Sequence, residues 1–127
     1  MVTLRGSSYA GMPRELSAVG ANPSIPSMAV QNLERHWGSG AKSDHSGQYP
    51  GFTREDYSKR AVELIRMATD ENISGYRAQN GAIVRYDRRT NDYVKGYRTG
   101  VATLFKPDDC ERYYQRTRQK ESEGAEL

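Results

Sequence analysis

Two histidines, His36 and His45, bracket a glycine- and serine-rich stretch in "HWGSGAKSDHSG" (36–47), and they are the only histidines in the chain. Imidazole titrates near neutrality, so such a pair has the chemistry to take a proton and to return one. Further along, "NGAIVRYDRRTNDYVKGYRTGVATLFKP" (80–107) gathers six basic residues and three tyrosines. Arginine and lysine there would supply fixed positive charge, and a threonine or tyrosine hydroxyl would donate to a phosphate oxygen. Proton transfer plus fixed charge is what RNA phosphodiester cleavage requires when the ribose 2′-hydroxyl attacks. That route needs no metal or other cofactor, and the clustered carboxylates of a two-metal nuclease are not apparent here.

Each of these residues also has a plainer explanation. His36 would close a helix whose C-terminal dipole favours a cation, and His45 would be a loop residue. Ile83 and Arg85 share one strand face and Val84 and Tyr86 the other, so the period leaves open whether Arg85 points into a cleft or away from the core. Thr103 falls between Val101 and Phe105 in an alternating pattern, a place for either a phosphate ligand or a good strand former. Lys106 follows the strand and would lean over the sheet edge or stand in solvent. Tyrosines 86, 93, 97, 113 and 114 would stack bases or fill the core.

The elements that must position these residues follow from periodicity and punctuation. Residues 1–27 are rich in Gly, Ser and Pro and read as a linker or lead-in, with a short helical turn around Pro13–Val19. Ser27 is placed to cap a helix over 28–37, with Val30, Leu33 and Trp37 on one face. Residues 38–51 are turn-forming throughout. Thr53 caps a stronger helix to about Thr69, with Glu55 and Asp56 in its first turn and Tyr57, Ala61, Leu64, Ile65 and Ala68 as its apolar stripe. After a short connection the period becomes alternating: Ala82–Tyr86, Tyr93–Lys95 and Val101–Phe105 are strands joined by "DRRTN" and "GYRTG" turns. Val101, Thr103 and Phe105 are expected on one face of the third strand. Asp108 would cap a last helix, and an acidic tail over 121–127 would fray. The expectation is an α+β fold: N-terminal helices packed on a small twisted antiparallel sheet, with a C-terminal helix.

Composition bounds the rest. The chain has 127 residues, 35% of them hydrophobic and 28% charged, enough for one domain with a small core. A single cysteine, Cys110, rules out an internal disulfide and a cysteine-based metal cluster. No apolar run is long enough to cross a bilayer, and the first residues lack the apolar core of a signal peptide. The net charge of +3 is unevenly spread. The strand region carries the excess, mostly as arginine, while the last residues are acidic.

At "GAIVRYDRRTNDYVKG…GVATLFKP" the sequence resembles the C-terminal toxin domains of contact-dependent inhibition and other polymorphic toxin systems, in the barnase–EndoU–colicin–RelE (BECR) ribonuclease superfamily. The motifs are "VRYD" (84–87), "TND" (90–92) and "TLFKP" (103–107), preceded by "LERHW" (33–37), His45-Ser46-Gly47 and "TREDY" (53–57). The resemblance spans roughly residues 33–114, and the nine-residue histidine spacing departs from its pattern. It implies a metal-independent endoribonuclease, most often aimed at tRNA, that leaves a 2′,3′-cyclic phosphate. It also implies secretion as the last module of a larger effector, action in the target-cell cytoplasm, and neutralisation by a cognate immunity protein.

On that basis the domain spans 28–120. His36 or His45 serves as base or acid, Arg85 and Lys106 stabilise the phosphorane, Thr103 contacts a non-bridging oxygen, and Tyr113 stacks a base or positions a proton. Arg88, Arg89, Lys95 and Arg98 line an exposed sheet face that carries the RNA backbone. A non-catalytic nucleic-acid-binding module using the same basic face is the second expectation, with salt-dependent binding and no strand scission. A small protein-interaction domain with an acidic partner is the third.

Overall fold

The computed structural model describes residues 19–126, with side chains described as far as Glu121. In chain order they form α1 (Val30–His36), a single 3₁₀ turn (Ser46–Gln48), α2 (Arg54–Arg66), β1 (Ile73–Arg77), β2 (Ile83–Asp87), β3 (Asp92–Tyr97), β4 (Gly100–Phe105) and α3 (Glu111–Glu126). The four strands make one antiparallel meander in the order β1-β2-β3-β4. The architecture is therefore the α+β arrangement read from the sequence, with helices before the sheet and one after it.

Helix α2 forms where local chemistry specifies it. The Thr53 hydroxyl accepts from the Asp56 amide while the Asp56 carboxylate accepts from the Thr53 amide, so two donors that the helix cannot satisfy internally are paired. Tyr57, Ala61, Leu64 and Ile65 are its buried stripe. The helix stops at Arg66, and Ala68 lies beyond it, exposed. Helix α1 is shorter than expected. It starts after Ala29, without a side-chain cap, and Val30 points outward at 65% exposure while Leu33 and Trp37 pack on the core.

Strand β1 falls where the sequence suggests only a connection, since "ISGYR" carries a glycine and no alternating apolar pattern. It pairs with β2 from Ile73↔Asp87 to Arg77↔Ile83. The sheet is covered on both sides. Towards α2 it presents Ile73, Ile83, Val94, Val101 and Leu104, packed with Tyr57, Leu64 and Ile65. The opposite face presents Tyr76, Val84, Tyr86 and Tyr93 against Tyr114 of α3. All five residues of β2 are buried. The expected exposed basic sheet face is therefore absent: α3 lies over it, and its tyrosines complete a second core.

A bulge in β4 separates Val101 from Thr103 and Phe105, three residues expected on one face. Lys95 pairs with Thr103 but Gly96 pairs with Val101, which leaves Ala102 as an extra residue. Alternation restarts there, so Val101 and Leu104 both face α2 while Thr103 joins Phe105 on the α3 side. Glycine is needed at 96, since a Cβ there would sit 2.7 Å from the Gly100 carbonyl oxygen and 2.8 Å from Ile65 Cδ1.

The domain boundaries also shift. Ile25 and Met28 are buried in the α2-side core. The Asn22 amide donates to the Arg66 carbonyl at 2.8 Å, and Arg66 Nε donates to the Ile25 carbonyl at 2.9 Å. Residues 19–27 thus belong to the fold rather than to a linker, held by backbone groups that composition does not reveal. The earlier part of the expected lead-in, including most of the turn at Pro13–Val19, lies outside the described residues. At the other end α3 runs to Glu126, and Glu121 accepts hydrogen bonds from Tyr76 and Lys95.

Candidate active site

The loop after α1 folds back on the helix that precedes it. The last carbonyls of a helix lack internal partners. Here the Arg35 carbonyl accepts from the Ser43 amide at 2.9 Å and the His36 carbonyl from the His45 amide at 2.8 Å. Asp44 fastens the loop from inside, its Oδ1 accepting from the amides of Gly38 and Ser46. Gly38 and Gly40 supply the left-handed backbone that the reversal needs, at φ of 103° and 87°. The nine-residue spacing of the histidines is thereby closed in space.

Their rings stack, with centroids 5.2 Å apart and planes 19° from parallel, and His45 stacks in turn on Phe105 at 5.4 Å and 24°. With ring neighbours in both stacks, His45 presents its edge, where the nitrogens lie. Partial burial and the neighbouring His36 both lower the His45 pKa below the usual histidine value, with Asp44 opposing them. His45 is therefore neutral at pH 7 and able to accept a proton. His36 Nδ1 lies 3.3 Å from the Ser43 carbonyl, a contact that favours the proton on Nδ1.

His45 opens onto a cleft of about 480 Å³ between the end of β4 and the start of α3, lined also by Phe105, Lys106, Asp109, Tyr113 and Arg116. Lys106 is held from several sides. Gln48 pairs with its backbone in both directions, donating to the carbonyl at 2.7 Å and accepting from the amide at 2.9 Å. Its ammonium donates to Asp92 Oδ1 and to the Thr90 carbonyl, both at 2.9 Å, and lies 4.7 Å from the centre of the Tyr49 ring.

Asp92, with a side chain only 3% exposed, is the hub beneath. It also accepts from Tyr49 at 2.8 Å, Thr90 at 2.8 Å and Arg60 Nε at 3.0 Å, and Arg60 in turn reaches Asp87 at 2.8 Å. Burial would raise the Asp92 carboxyl, but hydrogen bonds from Lys106, Tyr49 and Thr90 outweigh it and keep the group below the usual carboxylate value.

The structure thus gathers His36, His45, Lys106 and Tyr113, and it disperses the others. Arg85 is 1% exposed on the α2 side, where it donates to the carbonyls of Met67, Val84 and Gly20. No phosphate reaches it there, so its expected role does not hold. Thr103 is half-buried in mid-strand opposite Lys95. Arg88 clamps Ser74 and Glu111, and Lys95 is tied to Glu121. Arg89, at 59% side-chain exposure, stands in the β2–β3 turn paired with Asp87, and Arg98 is exposed in the β3–β4 turn at the far end of the sheet. Gln48, Asp109 and Arg116 were missed as site residues. Arg116 follows Tyr113 by three positions on a helix, which puts both on one side, and that spacing was the available signal.

Among known proteins, neither a family model nor a curated sequence matches the chain.

Proposed function

We propose that the chain is a metal-independent endoribonuclease with His45 as its general base. The supporting observation is the ring stack: a histidine stacked on both His36 and Phe105, with its pKa lowered by burial and by His36, lines a cleft that also holds two cations. His45 takes the proton of the ribose 2′-hydroxyl, whose oxygen forms the new bond to phosphorus. The P–O5′ bond breaks, giving a 2′,3′-cyclic phosphate and a 5′-hydroxyl. Tyr113 bears the hydroxyl among the cleft-lining side chains and is the donor for the departing oxygen. His36 is a positioning residue that sets the orientation and basicity of His45.

The sequence resemblance supports further parts of this reading: tRNA as the substrate, delivery as the last module of a secreted effector, action in the target-cell cytoplasm, and an acidic immunity protein as partner. The binding-module alternative is less well supported, since most of the strand cations it relies on are buried or engaged in ion pairs.

The test is incubation with total tRNA in excess EDTA beside His45→Ala and His36→Ala, with products resolved on a denaturing gel and their 3′ ends assayed. Discrete fragments ending in cyclic phosphate, lost in His45→Ala, are expected. Intact tRNA together with healthy growth of bacteria expressing the chain would sink the proposal.

A further inference from the structure

The cleft has two cations that differ in availability. Lys106 is committed to a buried carboxylate and a backbone carbonyl. Among the described residues Arg116 is paired with Asp109 alone, at 2.9 Å, and both side chains are more than half exposed. Exposed ion pairs of this kind are weak and easily exchanged. A guanidinium also binds phosphate in a bidentate fork, which a single Asp109 oxygen on Nη1 does not saturate.

Resting on the ribonuclease reading, we infer that Arg116 is the phosphate-binding residue of this cleft and that Asp109 occupies it until an RNA phosphate displaces the carboxylate. Both residues line the same cleft as His45, so a phosphate seated on Arg116 belongs to the strand whose 2′-hydroxyl His45 addresses. The pair works as a selective filter. A neutral ligand cannot displace Asp109, whereas a polyanion can.

The probe is a fluorescent 2′-O-methyl RNA oligonucleotide, which lacks the nucleophile, so that its anisotropy reports binding apart from cleavage. Arg116→Ala is expected to weaken binding about tenfold and to flatten the salt dependence by about 0.7 in log–log slope. Asp109→Asn is expected to tighten it about two- to fivefold, and to do nothing when Arg116 is already alanine. Equal tightening in both backgrounds would mean a general charge effect and would overturn the inference. So would Arg116→Ala binding like the wild type, or a wild-type chain that does not bind. Cleavage of unmodified RNA, measured in parallel, separates the two proposals. The expected binding pattern without scission removes the nuclease and leaves Arg116 in place, whereas scission unaffected by Arg116→Ala does the reverse.

Discussion

Gly75 and Arg85 face each other across the β1–β2 ladder, and the Arg85 side chain fills the space that a side chain at 75 would take. A Cβ on residue 75 would lie 2.6 Å from Arg85 Cδ and 2.5 Å from the Val84 carbonyl oxygen. The arginine is a structural tie, joining the loop after α2 and the chain near Gly20 through their carbonyls. Gly75→Ala is expected to cost about 1–3 kcal/mol through overpacking. Arg85→Met, which removes three hydrogen bonds and leaves the Met67 and Gly20 carbonyls without this donor, is expected to cost about 3 kcal/mol. Urea midpoints would show both losses. The cleavage rate per folded molecule should survive each change, and a selective loss of activity in Arg85→Met would return that residue to the site.

The acidic limb of the pH–rate profile should report His45. With its pKa lowered by burial and by His36, a base at this position stays unprotonated to below pH 6.5, so the limb should lie below that value. His36→Gln removes the electrostatic effect that His36 exerts on His45 and should move the limb to higher pH. A profile that stays fixed would exclude the coupling.

Stability carries its own pH signature from the same residue. The folded-state pKa of His45 is depressed, so as pH falls below the unfolded value near 6.5 the unfolded chain gains a proton that the folded one resists. Stability should therefore decline from pH 6.5 downward until His45 itself protonates. His45→Gln should flatten this slope in denaturant titrations between pH 7 and 5.

Asp92 acts in the same sense, at lower pH. Its folded pKa is lowered, so its stabilisation is complete above the usual aspartate value of 3.8 and disappears as pH falls through the lower folded value. Asp92→Asn should remove that acid sensitivity. At neutral pH it should cost about 3–5 kcal/mol, because Arg60 and Lys106 lose a buried partner. A thermal melt of the variant at pH 7 and pH 3 checks both statements.

Truncation tests the revised boundary. A chain starting at residue 19 retains Ile25 and the carbonyls that Arg66 and Arg85 use, whereas one starting at 28 loses them. The shorter chain should show the lower urea midpoint. Ile25→Ala alone should cost about 2–5 kcal/mol as a large-to-small change in the core.

These features differ in how far the sequence disclosed them. The Thr53–Asp56 cap, the "DRRTN" turn and three of the strands depend on neighbours a few residues apart, and local pattern is enough to find them. Strand β1 was hidden because Gly75 interrupts its apolar pattern, and that glycine is explained only by a residue ten positions later on the partner strand. Alternation puts Val101 on the face of Thr103 and Phe105, but one bulged residue, Ala102, reverses every later side chain and parts them. His36 and His45 were found as a pair by type, but their stacking depends on Asp44 and two left-handed glycines. The place of Arg85 is hidden in the sequence because its partners are backbone carbonyls, and a carbonyl leaves no trace in composition.

The amide of Gln48 has a consequence beyond the site it supports. It pairs with both backbone groups of Lys106, just past β4, while Asn32 donates to the Val101 carbonyl at the other end of that strand. β4 lies at the border of the sheet, where unpaired peptide groups invite another chain to add on. Two side-chain amides, each chemically a peptide group without a chain attached, take up part of the bonding that a fifth strand would offer. The sheet is therefore partly terminated from within, and the region that builds the cleft also guards the molecule against polymerising along that border.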